Sequence, residues 1–173
     1  MGTAIEAVRT LHREVDAAVR PLEAKHRARL QCRRGCSSCC VDGLSVFEVE
    51  ADVIRARHAA LLEREAPHPE GGCAFLGAEG ECRIYPERPY VCRTQGLPLR
   101  WVDDDFGVES RDICALNESG GPDLVQLPSD DCWTLGPCEA RLAALQVERA
   151  GRGPGPDDRV RLRDLFRASA CGR

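Results

Sequence analysis

The chain has 173 residues, with 24 Lys and Arg against 28 Asp and Glu, and a formal charge of −4. That length suits one domain, or one domain with helical extensions, and the charge balance argues against the broad basic face that grips nucleic acid or an anionic membrane. Eleven cysteines stand beside only two Trp, two Tyr and four Phe, so thiols are in excess where the large side chains that dominate burial are scarce.

The first predicted element is an amphipathic helix from Thr3 to Leu30, because Ile5, Val8, Leu11, Val15, Val19 and Leu22 recur at steps of three and four. Pro21 is expected to kink or divide it, since proline lacks the interior backbone donor. His12 and His26 on this segment read as solvated residues, neither having a second ligand at metal spacing. The N-terminal residues carry Glu6 and no apolar run of roughly 7–15 residues, which argues against a secretory signal. No stretch approaches the roughly 18 apolar residues of a membrane span. A reducing cytoplasm is therefore expected, where clustered thiols bind metal or do redox work rather than form disulfides.

Residues 31–40 hold Cys32, Cys36, Cys39 and Cys40, with Gly35 giving the freedom that a ligand loop needs. Ser45-Val46-Phe47-Glu48 then reads as a capping box, predicting a second helix over Val46–Glu65. Pro67, Pro69, Gly71 and Gly72 break it. The segment from Cys73 to Gly96, dense in Cys, Pro and Arg, reads as a loop held by metal. Leu99, Trp101 and Val102, followed across three aspartates by Phe106 and Val108, suggest a short β-hairpin. A further helix is expected over Cys138–Ala150 with Leu142, Leu145 and Val147 inward, then a Gly/Pro link, then a last helix through Val160, Leu162, Leu165 and Phe166. The fold class expected is α+β, mostly helical: a small metal-stabilised domain with irregular cysteine-rich loops, one hairpin and flanking helices. It divides into an N-terminal helical segment (1–31), a cysteine-cluster core (32–114) and a C-terminal helical extension (115–173).

Closely spaced thiolates on a tight loop converge on an ion at little entropic cost. Cys32-x-x-x-Cys36-x-x-Cys39-Cys40 is such a loop, and the vicinal pair Cys39 and Cys40, awkward to wrap round one ion, suits two metals or two irons of one cluster. Downstream come Cys73-Ala74-Phe75-Leu76, the block Cys82-Arg83-Ile84-Tyr85-Pro86-Glu87-Arg88-Pro89-Tyr90-Val91-Cys92-Arg93, and Cys114.

On these residues the chain resembles the YkgJ family, the zinc- or iron-chelating CxxxCxxCC domain of bacteria and archaea, over about residues 32–114. The resemblance implies eight metal ligands: Cys32, Cys36, Cys39, Cys40, Cys73, Cys82, Cys92 and Cys114. Cys132, Cys138 and Cys171 fall outside the shared block. Arg83, Arg88 and Arg93 stand where guanidinium groups can offset the negative charge of a thiolate site.

Four thiolates serve zinc, and they serve an iron–sulfur cluster of the 4Fe–4S type equally well. Cys32-x-x-x-Cys36-x-x-Cys39 resembles the cluster loop of radical S-adenosylmethionine enzymes, although Ser38 replaces the usual aromatic and the repeated strand–helix units are missing. That loop tilts the reading toward iron–sulfur over zinc. No Ser/His/Asp set, no nucleophilic Cys beside a His and no cofactor motif stands out, so a non-catalytic metal-binding module is favoured. The alternative is a part of a protein-modifying enzyme, because a cysteine-rich region of similar pattern occurs in flagellin lysine methylases.

Overall fold

The computed structural model of the chain describes residues 2–103 and 105–166, so Cys171 lies outside the described residues. The architecture is mostly helical with short strands. Helix α1 (Gly2–Lys25) buries Val8, Leu11, Val15 and Val19, the stripe expected from its sequence period. Pro21 sits inside α1 without ending it; only its final turn follows, so a single missing backbone bond does not undo what the buried stripe holds.

His12 and His26 are buried rather than solvated. His12 Nε2 meets the Glu50 carboxylate at 3.1 Å and His26 Nε2 meets the Asp131 carbonyl at 2.7 Å, so burial is matched by a partner in each case. Helical spacing alone does not reveal such partners, which come from residues far along the chain.

The expected second helix is split three ways. Strand β1 (Ser45–Phe47) comes first, then α2 (Glu48–Arg57) and α3 (Ala59–Arg64). Ser45 does not cap a helix; it pairs with Arg161 of β5 (Arg159–Arg161) in a two-stranded antiparallel sheet, and its hydroxyl accepts from Arg159 Nε at 3.2 Å. Cross-chain strand pairing has outcompeted a local cap. The helical run is interrupted at His58, whose ring reaches Glu87 at 3.0 Å.

The hairpin forms as expected, β2 (Leu99–Asp103) against β3 (Val108–Asp112), with Leu99 opposite Asp112 and Asp103 opposite Val108. Gly107 at φ +62° lets the chain turn back, and the Asp103 carboxylate accepts the backbone N–H groups of Asp105 and Phe106. A third strand, β4 (Trp133–Thr134), lies parallel to β2 on its other side. Helix α5 (Pro137–Ala150) ends on Gly151 in the left-handed region. Leu142 is buried on it, whereas Val147 is exposed rather than inward. The last expected helix is replaced by β5 and a 3-10 turn (Leu162–Leu165). Leu162, Leu165 and Phe166 are buried all the same, in the cluster that holds Phe75 and Ile84, and Val160 packs half-buried against it.

Two cores result. One joins α1, β4 and α5 through Leu11, Val15, Tyr90, Trp133 and Leu142. The other lies beneath the cysteine loops and is built from Ile54, Ala74, Phe75, Ile84, Leu162 and Phe166, with Cys73 inside it and Cys40 and Cys82 against it. Among the described residues no helix is long and apolar enough to cross a membrane.

Candidate metal centre

Residues 31–40 carry two successive tight turns, in which the Cys36 N–H donates to the Arg33 carbonyl and the Cys40 N–H to the Ser37 carbonyl, each at 2.9 Å. Gly35, at φ +85°, lies against a second loop: a Cβ on Gly80 would come to 3.1 Å from the Gly35 carbonyl. The Cys73 N–H donates to the Cys40 carbonyl at 2.9 Å and so ties the first loop to the third sulfur-bearing segment. A bridge between Leu76 and Cys82, with Arg83 N–H donating to the Phe75 carbonyl at 2.9 Å, folds that segment back on itself. Cys92 is on the short helix α4 (Tyr90–Arg93), whose first N–H is received by the buried Glu50 carboxylate at 2.8 Å. Cys114 precedes a 3-10 turn (Ala115–Asn117).

These segments bring the thiols within one another's electrostatic reach. The Cys92 thiol is pushed up to about 12, first by burial and then by the charges of Cys73, Cys82 and Cys39. Burial also raises Cys73 and Cys82, and Cys82 feels Cys73 in addition. The adjacent thiols of Cys39 and Cys40 act on each other, lowering Cys39 and raising Cys40; the latter also feels Cys73 and Cys92. At the outer end, Cys32 is raised by burial and by Cys36, Cys114 and Cys39, while a hydrogen bond from Asn117 works the other way. Ser38 Oγ stands 3.8 Å from the Cys36 sulfur and 4.0 Å from that of Cys114. Two overlapping groups follow: Cys32, Cys36 and Cys114 near the surface, and Cys40, Cys73, Cys82 and Cys92 against the core, with Cys39 reaching both. Thiolates that repel one another are those a cation stabilises, since metal takes the place of their protons.

All of the described cysteines are free thiols. Among the described residues no three His, Cys, Asp or Glu side chains are already closed round a point where an ion would sit. What fits a metal is the donor chemistry: eight thiols and no competing imidazole, with guanidinium charge alongside. Arg88 lies 3.9 Å over the Tyr85 ring, its charge acts on Cys39, Cys82 and Cys92, and its buried Nε has no partner among the described residues. Arg83 acts on Cys73 and Cys82 and donates to the Ala74 carbonyl at 2.6 Å. Arg93 turns away; it donates to Asp16 at 2.6 Å and to the Pro86 carbonyl at 2.8 Å, pinning α4 to α1.

Cys132 and Cys138 stand elsewhere. The Cys132 sulfur is 3.9 Å from the Pro128 carbonyl, and Cys138 packs on the core beside α1. The sequence marks Ser38 only as a departure from a cluster loop and does not point to Glu50; Asn117 carries a faint signal, three residues beyond Cys114.

Residues 31–115 match the family model CxxCxxCC, described as a "Putative zinc- or iron-chelating domain". No curated protein and no solved structure matches the chain.

Proposed function

We propose, for a chain whose residues 31–115 belong to this YkgJ-like zinc- or iron-chelating family, that the CxxxCxxCC loop and the downstream cysteines hold an iron–sulfur cluster in a non-catalytic module with a redox or accessory role. The candidate ligands are Cys32, Cys36, Cys39, Cys40, Cys73, Cys82, Cys92 and Cys114, of which one cluster takes four and leaves the others as spare ligands or for a zinc ion. One observation supports the reading: the vicinal pair Cys39 and Cys40 sits between the two sulfur groups, the Cys40 carbonyl accepting the Cys73 N–H at 2.9 Å while the neighbouring Ser38 hydroxyl stands 3.8 Å from the Cys36 sulfur and 4.0 Å from that of Cys114. Adjacent thiolates crowd a single tetrahedral ion, whereas a centre with several irons offers each its own metal atom. Arg88 and Arg83 offset the charge that such a centre accumulates, and a bound cluster would supply one-electron transfer.

Zinc is the second reading, and it has its own support. Cys40, Cys73 and Cys82 lie in or against the core and the Cys92 thiol feels Cys73 and Cys82, four sulfurs that match the complement of a closed structural zinc site. Purification without oxygen, followed by iron, sulfide and zinc counts and a visible spectrum, separates the two. Iron and sulfide in equal amounts in a brown protein support the cluster; a colourless protein with stoichiometric zinc supports the second reading. A chain carrying neither metal on its thiols rejects both.

A further inference from the structure

Asn117 is fully buried, at 0 % exposure, and lies outside both the cysteine pattern and the matched family segment. Each polar group of its side chain is used. Its Oδ1 accepts the Gln31 N–H at 2.8 Å, and its Nδ2 donates to the Gly96 carbonyl at 2.8 Å and to the Cys32 sulfur at 3.5 Å. Its own backbone N–H donates to the Cys114 carbonyl at 2.7 Å. One residue therefore touches the segments carrying the first and the last of the proposed ligands, Cys32 standing 85 positions away.

The sulfur's surroundings are shaped to the same end. Gly96 sits at φ +93°, and a Cβ there would come to 2.5 Å from the Cys32 sulfur and 3.1 Å from Asn117 Nδ2. Only glycine leaves room for carboxamide and sulfur to meet. The two bonds to backbone explain why an amide is buried here; the second amide hydrogen is spent on sulfur, and an N–H donor favours the charged form of sulfur, the form that binds metal. Hydrogen bonds of this kind orient a ligand and tune its donor strength.

We infer that Asn117 is a positioning residue for the metal centre, its side-chain N–H holding the Cys32 thiolate in the orientation in which it ligates. The inference rests on the thiolate–metal reading above. Asn117→Asp keeps the size and the acceptor for Gln31 but removes the donor and sets a carboxylate oxygen beside the sulfur.

The test is a double-mutant cycle on the reduced full chain loaded with zinc(II) and competed by a chromophoric chelator. Asn117→Asp and Cys32→Ser are each expected to weaken zinc binding roughly 10–100-fold. The double variant should be no weaker than Cys32→Ser alone, because Asn117 acts through that sulfur. Losses that multiply, or an Asn117→Asp affinity within about twofold of the unaltered chain, overturn the inference and leave the metal reading intact. A chain that takes up neither zinc nor an iron–sulfur cluster on its thiols overturns the metal reading itself. Where Asn117→Asp does not fold, the unaltered chain decides: loaded with a spin-active cadmium isotope, it should show scalar coupling between the metal and one Asn117 side-chain amide proton. Thiolate-bound cadmium without that coupling contradicts the inference.

Discussion

Where α1, α2 and α5 meet, Val8, Val49 and Val53 are shielded from water, and the polar groups enclosed with them, His12 and Glu50, satisfy each other. Where residues 31–44 meet 72–97 and 113–117, regular structure gives way to turns, one isolated bridge and a four-residue helix. Cys32 is exposed there and most of the other proposed ligands are half-buried. The first region is ordered by apolar area and paired polar groups. The second has thiols that repel one another as they ionise, and on the reading proposed above a bound cation draws them together. Apolar packing and the proposed metal chemistry are thus separated in space, joined through Glu50 of the frame, which receives the Tyr90 N–H, and through Phe75 and Ile84, loop residues buried in the core.

Removing the metal should break that balance most severely. Structural zinc in small peptides contributes about 10–16 kcal/mol, against a net stability of about 5–15 kcal/mol for a whole domain. Chelation under reducing conditions is expected to abolish amide-exchange protection in 31–44 and 72–97 while α1, α2 and α5 keep their helical circular dichroism. An unchanged spectrum and an unchanged thermal transition would erase the distinction between the regions. Next in size is Phe75→Ala, at the junction. Phe75 is 1 % exposed and stacks 5.0 Å from Phe166, so denaturant unfolding should register a loss of about 3–5 kcal/mol.

Two arginines sharpen the comparison. Arg88→Ala should lower metal affinity roughly 10–100-fold in chelator competition with little change in the frame. Arg93→Ala should lower the melting temperature and leave that affinity unchanged, because its partners are Asp16 and the Pro86 carbonyl. The smallest effect belongs to Asp158, whose carboxyl is held below its ordinary range by the Gly155 N–H, then by Gln146 and Arg152. A depressed native value contributes stability above the unfolded value of about 3.9 and loses it as pH falls below that. The gap in melting temperature between the unaltered chain and Asp158→Asn should therefore close as pH drops below about 4, and a gap constant with pH would show that the charge contributes nothing.

Much of the frame was legible because its signals are periodic. The stripe of α1 and the residues of α5 follow from spacing alone, and the alternation around Leu99–Val108 suffices for the hairpin. Ser45 misled because a local cap and a distant strand make competing claims on one hydroxyl, and Arg159, which donates to it, lies over a hundred residues away. The C-terminal run misled differently: its apolar residues are buried as expected, but on a strand and a 3-10 turn. In the site, thiols announce themselves by type. A neutral amide such as Asn117 does not, and its role emerges only once Gly96 and Cys32 have been brought beside it.

The central claim is that sulfur from separate loops meets at one inorganic centre, and X-ray absorption at the metal edge of chain purified without oxygen tests it most directly. The account predicts a first coordination shell of sulfur at roughly 2.3 Å. A shell of oxygen and nitrogen alone, or a chain without metal whose eight thiols all alkylate freely, would contradict it.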